Sequence, residues 1–234
     1  MLIDTEIAHI SNNVTIYRGG AGDIIPTLDW VGINAVVTDP PYGISGGRGR
    51  INKARAKGVY NSNFPDTPEY IRDVIVPLVR TMIESCGCVV LTPGNKNFSF
   101  YPQPQSFGCF YQPASSGLQV FGNTDAQPVF YYGKNPRKKN MGVKLSWQVT
   151  EIPEKNGHPC PKPLKAWTNV VNSVTLSGMT VLDPFMGSGT TGKACLALGL
   201  NFIGIESDPV YFEIAKKSLS IASKEQIAKR LFYD

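Results

Sequence analysis

The chain has 234 residues, 42% of them apolar and 10% aromatic, which is enough for a packed core and too much for a disordered chain. Charged residues make up only 18%, which excludes a coiled coil or a charge-rich linker. A net charge of +5 is mildly basic, compatible with nucleic acid but far from a histone-like tail.

The N-terminal stretch MLIDTEIAHISNN has neither a positively charged start nor an apolar run, so no signal peptide is expected. VTIY (14–17) is a short β-rich run, and AVVT (35–38) is a fully apolar one, as expected of a buried parallel strand. Thr67-Pro68-Glu69 opens a helix with an N-cap, a proline in the first turn and an acid at the positive end of the dipole. Tyr70, Ile71, Val74, Ile75, Leu78, Val79, Met82 and Ile83 recur at helical spacing, and Pro77 among them predicts a kink. CVVL (88–91) follows as another strand. From about 93 to 157 the chain is rich in Pro, Gly, Gln and Ser with aromatics between them, which predicts hairpin or irregular structure. A regular pattern resumes near His158. It predicts a helix from about Pro163 to Ser177, the strand TVLD (180–183), a Gly-rich turn and a helix over Thr190–Leu198. The strand NFIGIE (201–206) and an amphipathic helix from Pro209 complete it.

Strands alternating with helices predict an α/β fold with a mostly parallel, twisted sheet covered by helices on both faces. One domain over 1–234 accommodates three blocks: a first half to residue 92, a variable insert at about 93–157, and a second half over 158–234. No stretch approaches 18 uninterrupted apolar residues, which excludes a membrane-spanning helix. The five cysteines are odd in number and form no C-x-x-C pair, so reduced thiols in a cytoplasmic protein are expected rather than a disulfide scaffold or a metal site.

Two motifs stand directly after apolar strands, where open α/β sheets bind ligands. The first is Asp39-Pro40-Pro41-Tyr42. It places a carboxylate, a carbonyl and an aromatic face within a few residues, on a backbone stiffened by two prolines. Such a clamp suits an exocyclic amine on a flat ring. The amine has two N–H donors, Asp39 and the Pro40 carbonyl can each accept one, and the Tyr42 ring can stack on the base. The second motif is Asp183-Pro184-Phe185-Met186-Gly187-Ser188-Gly189-Thr190-Thr191. A strand, a Gly-rich turn and a helix can cradle a nucleotide. Gly187, Gly192 and Lys193 match most of a phosphate-binding P-loop, but Ala194 stands where that loop needs a hydroxyl for magnesium.

Together these motifs resemble the S-adenosylmethionine-dependent amino-methyltransferases of DNA. That family combines a D/S/N-P-P-Y/F/W clamp with an F-x-G-x-G loop, here Phe185-Met186-Gly187-Ser188-Gly189. His158-Pro159-Cys160-Pro161-Lys162-Pro163 is close to the family's H-P-T-x-K-P stretch, with Cys for Thr at the third position. The clamp precedes the cofactor loop, as in the β subgroup with its permuted motif order. The resemblance implies a Rossmann-like methyltransferase fold, a base flipped out of the duplex, and no metal. It implies catalytic roles for Asp39, Pro40, Pro41 and Tyr42. It also implies a cofactor pocket shaped by Asp183, Phe185, Gly187, Gly189 and Thr190, with Glu206 on the ribose hydroxyls and Lys162 facing the cofactor carboxylate. Asp at the first clamp position goes mostly with adenine N6 in the family, with cytosine N4 as the alternative. S-adenosylhomocysteine is the product. The family often carries Gly-Asp after the strand that precedes the clamp. Here Gly20 takes the acid's place, so either Asp23 compensates, or it caps the next helix and the contact is absent.

Two basic stretches suit DNA phosphates. Arg48, Arg50, Lys53, Arg55 and Lys57 follow the clamp, and Lys134, Arg137, Lys138, Lys139 and Lys144 form the other. The roughly sixty residues between Leu91 and His158 are few for a separate target-recognition domain. Recognition is therefore short, weak, or supplied by a second subunit in a homodimer. Two rivals come from other classes: a P-loop nucleotidase, and a non-catalytic DNA-binding module that kept the fold.

Overall fold

The computed structural model describes residues 5–44, 66–112, 117–119, 122–137, 142–151 and 162–233. Among the described residues nine strands form one sheet in the order β1-β2-β11-β10-β3-β4-β8-β5-β9. Its centre is parallel: β2 (Val14–Arg18), β11 (Asn201–Glu206), β10 (Thr180–Asp183), β3 (Ala35–Thr38) and β4 (Cys88–Leu91) all run the same way. These are the strands that hydrophobic runs announce. On one flank β1 (Glu6–Ser11) folds back on β2 as an antiparallel hairpin. On the other, β8 (Ala126–Gly133) pairs antiparallel with β4, then β5 (Ser106–Tyr111) antiparallel with β8, and β9 (Trp147–Gln148) parallel with β5. The Pro- and Gly-rich block therefore completes the sheet, and β6 (Gly117–Gln119) with β7 (Gly122–Thr124) forms a separate two-stranded antiparallel sheet.

The parallel strands are buried on both faces because side chains alternate between two cores. Val14, Ile16, Ala35, Val37, Val90 and Val181 face the helices α3 (Leu164–Val174), α4 (Thr190–Ala197) and α5 (Pro209–Tyr233), whose Trp167, Val170, Phe212 and Leu219 fill that layer. Val36, Val89, Leu91, Leu182 and Ile205 face the short α1 (Ala21–Ile24) and the helix α2 over 68–85, packing on Ile24, Ile71, Ile75, Val79 and Met82.

Helix α2 starts as its sequence predicts: the Thr67 hydroxyl accepts the Tyr70 N–H at 3.2 Å, with Pro68 in the first turn. The helix is irregular just before Pro77. A π-helical turn over Ile71–Ile75, with the Val76 N–H on the Ile71 carbonyl, comes first. Pro77 then sits at the second position of the regular segment Val76–Ser85, so the ladder is irregular where the proline withholds its N–H. Helix α3 ends three residues before the predicted Ser177, because Thr175 turns extended and its hydroxyl takes the Val171 carbonyl at 2.8 Å. No helix among the described residues is long and apolar enough to cross a membrane.

Candidate active site

All five parallel strands end at the same edge of the sheet, so Arg18, Thr38, Leu91, Asp183 and Glu206 are brought together there. Asp39 leaves β3 at this edge, beside the end of β4. The Thr92 hydroxyl, directly after β4, donates to Asp39 Oδ1, and so does the Tyr42 hydroxyl. Oδ2 faces the Lys162 ammonium at 2.8 Å. Tyr42 is a hub. Its hydroxyl gives its one proton to Asp39 and accepts from Gln127 Nε2 and from Lys162 Nζ, the latter at 2.6 Å. This satisfies a phenol completely. Burial, and then the Asp39 charge, push its pKa well above the ordinary range.

The chain around the clamp is pinned. Asn97 Nδ2 donates to the Tyr42 carbonyl at 2.6 Å, and Asp66 accepts the Gly43 N–H at 2.6 Å and the Ile44 N–H at 3.3 Å. Gly94 has φ +74°, and a Cβ there would come within 2.9 Å of the Tyr42 ring. Only glycine allows both that turn and that approach.

The resemblance implies that Lys162 faces the cofactor carboxylate; in the structure its ammonium also meets the clamp, on Asp39 and the Tyr42 hydroxyl. Nζ lies 5.1 Å from the Tyr42 ring centroid but only 2.6 Å from the hydroxyl, so it sits beyond the oxygen rather than over the ring. The sequence reading missed Thr92, Gln127, Asn97 and Asp66. Thr92 stands to strand CVVL as Asp39 stands to AVVT, and that parallel could have revealed it. Gln127 has no local signal, since it arrives through the antiparallel β8.

The hub makes a prediction. Tyr42→Phe keeps the ring but frees Asp39, Gln127 and Lys162 from their common partner. The sequence alone predicts that Phe retains much activity. The geometry predicts a fall in turnover of about 10- to 100-fold, the scale of one lost aligning bond at a reacting centre. Steady-state methyl transfer to genomic DNA measures it, and wild-type turnover would leave the ring as the working part.

The Gly-rich loop follows β10. Its turn is closed by the Met186 N–H on the Ile205 carbonyl at 3.0 Å and the Gly189 N–H on Met186 at 2.8 Å. Gly187 and Gly189 have φ of +51° and +85°, and Gly189 is the N-cap of α4, which Thr190 opens. Phe185 is half-buried against the α2 core. Asp183 is buried with its carboxylate turned into the protein. It accepts from Thr38 Oγ1 at 2.6 Å, Thr191 Oγ1 at 2.5 Å and the Phe185 N–H at 3.1 Å. Burial pushes it up to about 6 against these donors, and the Asp39 charge adds to the rise. Gly192 does not serve a phosphate site: a Cβ there would meet Leu219 and Phe202 at 2.6 and 2.8 Å, so it lets α4 pack on its neighbours.

Glu206 ends β11 under the same loop and is partly exposed. Its Oε2 accepts the Gly187 N–H at 2.9 Å and its Oε1 the Asp208 N–H at 2.8 Å. Burial pushes its carboxyl up to about 7. An acid fixed beside an open glycine turn fits a nucleoside whose ribose offers two hydroxyl donors, as S-adenosylmethionine does. Asp23 does not cap α1, whose N-cap is Gly20 without a side-chain bond. Its Oδ2 lies 2.7 Å from where a Cβ of Gly20 would stand, so the displaced acid covers position 20.

The structure does not bring Lys134 and Arg137 to the clamp. Because β8 runs antiparallel, Gly133 pairs with Cys88 at the start of β4, and the Lys134 N–H bonds Gly87 at the opposite edge of the sheet. Arg137 donates to the Asn172 carbonyl at 2.6 Å, in the last turn of α3, where a cation satisfies the free carbonyls. Arg48, Arg50, Lys53, Arg55, Lys57, Lys138, Lys139 and His158 lie outside the described residues.

The Asp39–Tyr42 cluster and the glycine turn beside Glu206, on one edge of an open, mostly parallel sheet, fit an S-adenosylmethionine-dependent DNA methyltransferase. The sequence profile of the family described as DNA methylase matches residues 96–217, and the chain belongs to that family. It is similar to the type II methyltransferase M2.MboI of Moraxella bovis, 24% identical over 237 residues, covering 88% of this chain and 87% of the relative. It is also similar to the DNA adenine methyltransferase YhdJ of Escherichia coli (strain K12), 34% identical over 108 residues, covering 42% of this chain and 37% of YhdJ. Among solved structures, the cytosine-N4-specific PvuII DNA methyltransferase superposes with a TM-score of 0.66 at 13% identity, covering 97% of this chain and 96% of that one. The M1.HpyAVI–SAM complex superposes with 0.59 at 24% identity, covering 88% and 98%.

Proposed function

We propose that the protein methylates the exocyclic N6 amine of adenine in DNA, on a base turned out of the duplex into the clamp. One observation carries this reading: Asp39 has its inner oxygen tied by Thr92 and Tyr42, leaving Oδ2 as its acceptor beside Lys162. An adenine amine is a weak nucleophile because its lone pair is delocalised into the ring. Asp39 Oδ2 and the Pro40 carbonyl accept its two N–H bonds and draw the nitrogen toward tetrahedral geometry. Tyr42 supports the base with its ring, a contact worth about 1–3 kcal/mol in single-strand binders. Turning the base out costs a few kcal/mol. Bound by Glu206 and the turn at Gly187 and Gly189, S-adenosylmethionine supplies a methyl group on a positively charged sulfur. As the nitrogen becomes cationic, the Asp39 carboxylate faces the new charge and accepts its proton. Positioning and electrostatics account for most of the catalysis.

The acid at the first clamp position and the adenine specificity named for YhdJ support adenine over cytosine N4. Cytoplasmic action is part of the proposal, as is contact with phosphates by the cations at 48–57. The test is digestion of DNA from a methylation-free host expressing the protein, with mass spectrometry of the nucleosides. N6-methyladenine is expected. N4-methylcytosine would move the target, and no modified base would refute the activity.

A further inference from the structure

The clamp and the cofactor loop leave neighbouring strands, yet the backbone ladder between those strands stops short of both. Strands β3 and β10 pair only at Ala35 with Val181 and at Val36 with Leu182. Beyond this last pair one chain reaches Asp39 three residues after Val36, and the other reaches Pro184 two residues after Leu182. Across this opening runs a line of buried side chains. Thr38 Oγ1 donates to Asp183 Oδ1 at 2.6 Å, Thr191 Oγ1 donates to Asp183 Oδ2 at 2.5 Å, and Trp167 Nε1 donates to Thr191 Oγ1 at 2.8 Å. All four residues are buried.

We infer that Thr38 is a positioning residue, whose hydroxyl on Asp183 fixes the separation of the clamp from the cofactor loop. The inference rests on the methyltransferase reading of the site. Thr38 is held on both sides: its carbonyl accepts the Thr92 N–H at 3.3 Å on the β4 side, and its hydroxyl reaches β10. The next residue is Asp39, so any rotation at Thr38 carries the carboxylate with it. On the loop side the same Asp183 oxygen accepts the Phe185 N–H at 3.1 Å, and Thr191 stands in the first turn of α4. The two halves of the site are thus referred to one buried carboxylate. Trp167, stacked on Phe110 with ring centroids 5.8 Å apart, anchors the far end in the core. A core that only needed filling would take valine at 38 and 191. Hydroxyls there, each aimed at a different oxygen of one acid, set geometry where the ladder no longer does. A misplacement of about 1 Å between reacting groups costs on the order of 100-fold in rate.

The experiment compares Thr38→Val and Thr38→Ser with wild type and with Asp39→Ala. It measures transfer of labelled methyl to genomic DNA, S-adenosylhomocysteine affinity by calorimetry, and the melting temperature. Thr38→Val is isosteric and is expected to lower kcat by about 10- to 100-fold, with affinity for S-adenosylhomocysteine within about threefold of wild type. Thr38→Ser is expected to restore kcat, because it returns the hydroxyl and not the methyl. Should Thr38→Val not fold, Thr191→Val breaks the same line one bond further on and is expected to show the same split. A folded Thr38→Val enzyme with wild-type kcat, or one that loses only melting temperature, overturns the inference alone. Asp39→Ala with wild-type turnover overturns the methyltransferase reading of the clamp and the inference with it.

Discussion

Asp39→Ala is expected to lower methyl transfer by at least about 10³-fold, roughly 4 kcal/mol of transition-state stabilisation, while S-adenosylhomocysteine affinity stays within a few fold. The size follows from how many contacts end on this carboxylate. Asp39 receives Thr92 and Tyr42 on one oxygen and Lys162 on the other. Alanine removes the acceptor for the amine and also leaves the Lys162 ammonium in the clamp with no counter-charge. A nitrogen that becomes cationic during the reaction would then face a lysine in place of an acid. Asp39→Asn keeps the shape and one acceptor but removes the charge, and it should recover little of the loss. Rates on genomic DNA, set beside calorimetry with S-adenosylhomocysteine, separate the two effects. Near-normal turnover by the alanine variant would refute the clamp mechanism.

The parts of this site that could be read from the sequence are those written locally. AVVT, CVVL, TVLD and NFIGIE are apolar on both faces because each lies between two helical layers, and that condition shows in four to six consecutive residues. Topology then carries the C-terminal end of each strand to the binding edge, which is why Asp39, the Gly187 turn and Glu206 could be named together. The rest depends on pairings made across long stretches of chain. Gln127 reaches Tyr42 across 85 positions, and Lys162 reaches it across 120. Strand β8 shows what composition leaves out. The basic run after it suits DNA phosphates by composition; antiparallel pairing carries Gly133 to the start of β4, so Lys134 and Arg137 finish at the edge opposite the clamp. Strand β1 went unread because its partly buried, alternating residues form an edge hairpin rather than an apolar run. Asp183 is legible through its motif, but its inward bonds to Thr38 and Thr191 are not, since they join residues far apart in the chain or on a different element.

Glu206→Ala is expected to weaken S-adenosylmethionine binding by about 10²-fold or more, since two hydrogen bonds to a charged acceptor are worth about 1.5–3 kcal/mol each. The alanine also releases the N–H groups of Gly187 and Asp208, which loosens the turn that the nucleoside must meet. The pH dependence is the sharper test. Burial raises the Glu206 carboxyl from 4.5 to about 7, so near neutrality a large fraction is protonated. Ribose hydroxyls donate to the ionised form, so affinity should rise with pH, level off above about 7, and fall toward tenfold per unit below it. Folding carries the opposite sign. The folded state holds this proton more tightly than the unfolded chain, so the group's contribution to stability without cofactor is complete below about 4.5 and is lost as pH rises through 7. Calorimetric affinities at pH 6.5 and 8 therefore should differ in the wild type and coincide in Glu206→Gln, which keeps one acceptor and cannot titrate. A Gln variant that binds as tightly as wild type at pH 8, or a wild-type affinity flat across that range, would place the ribose contact on another residue.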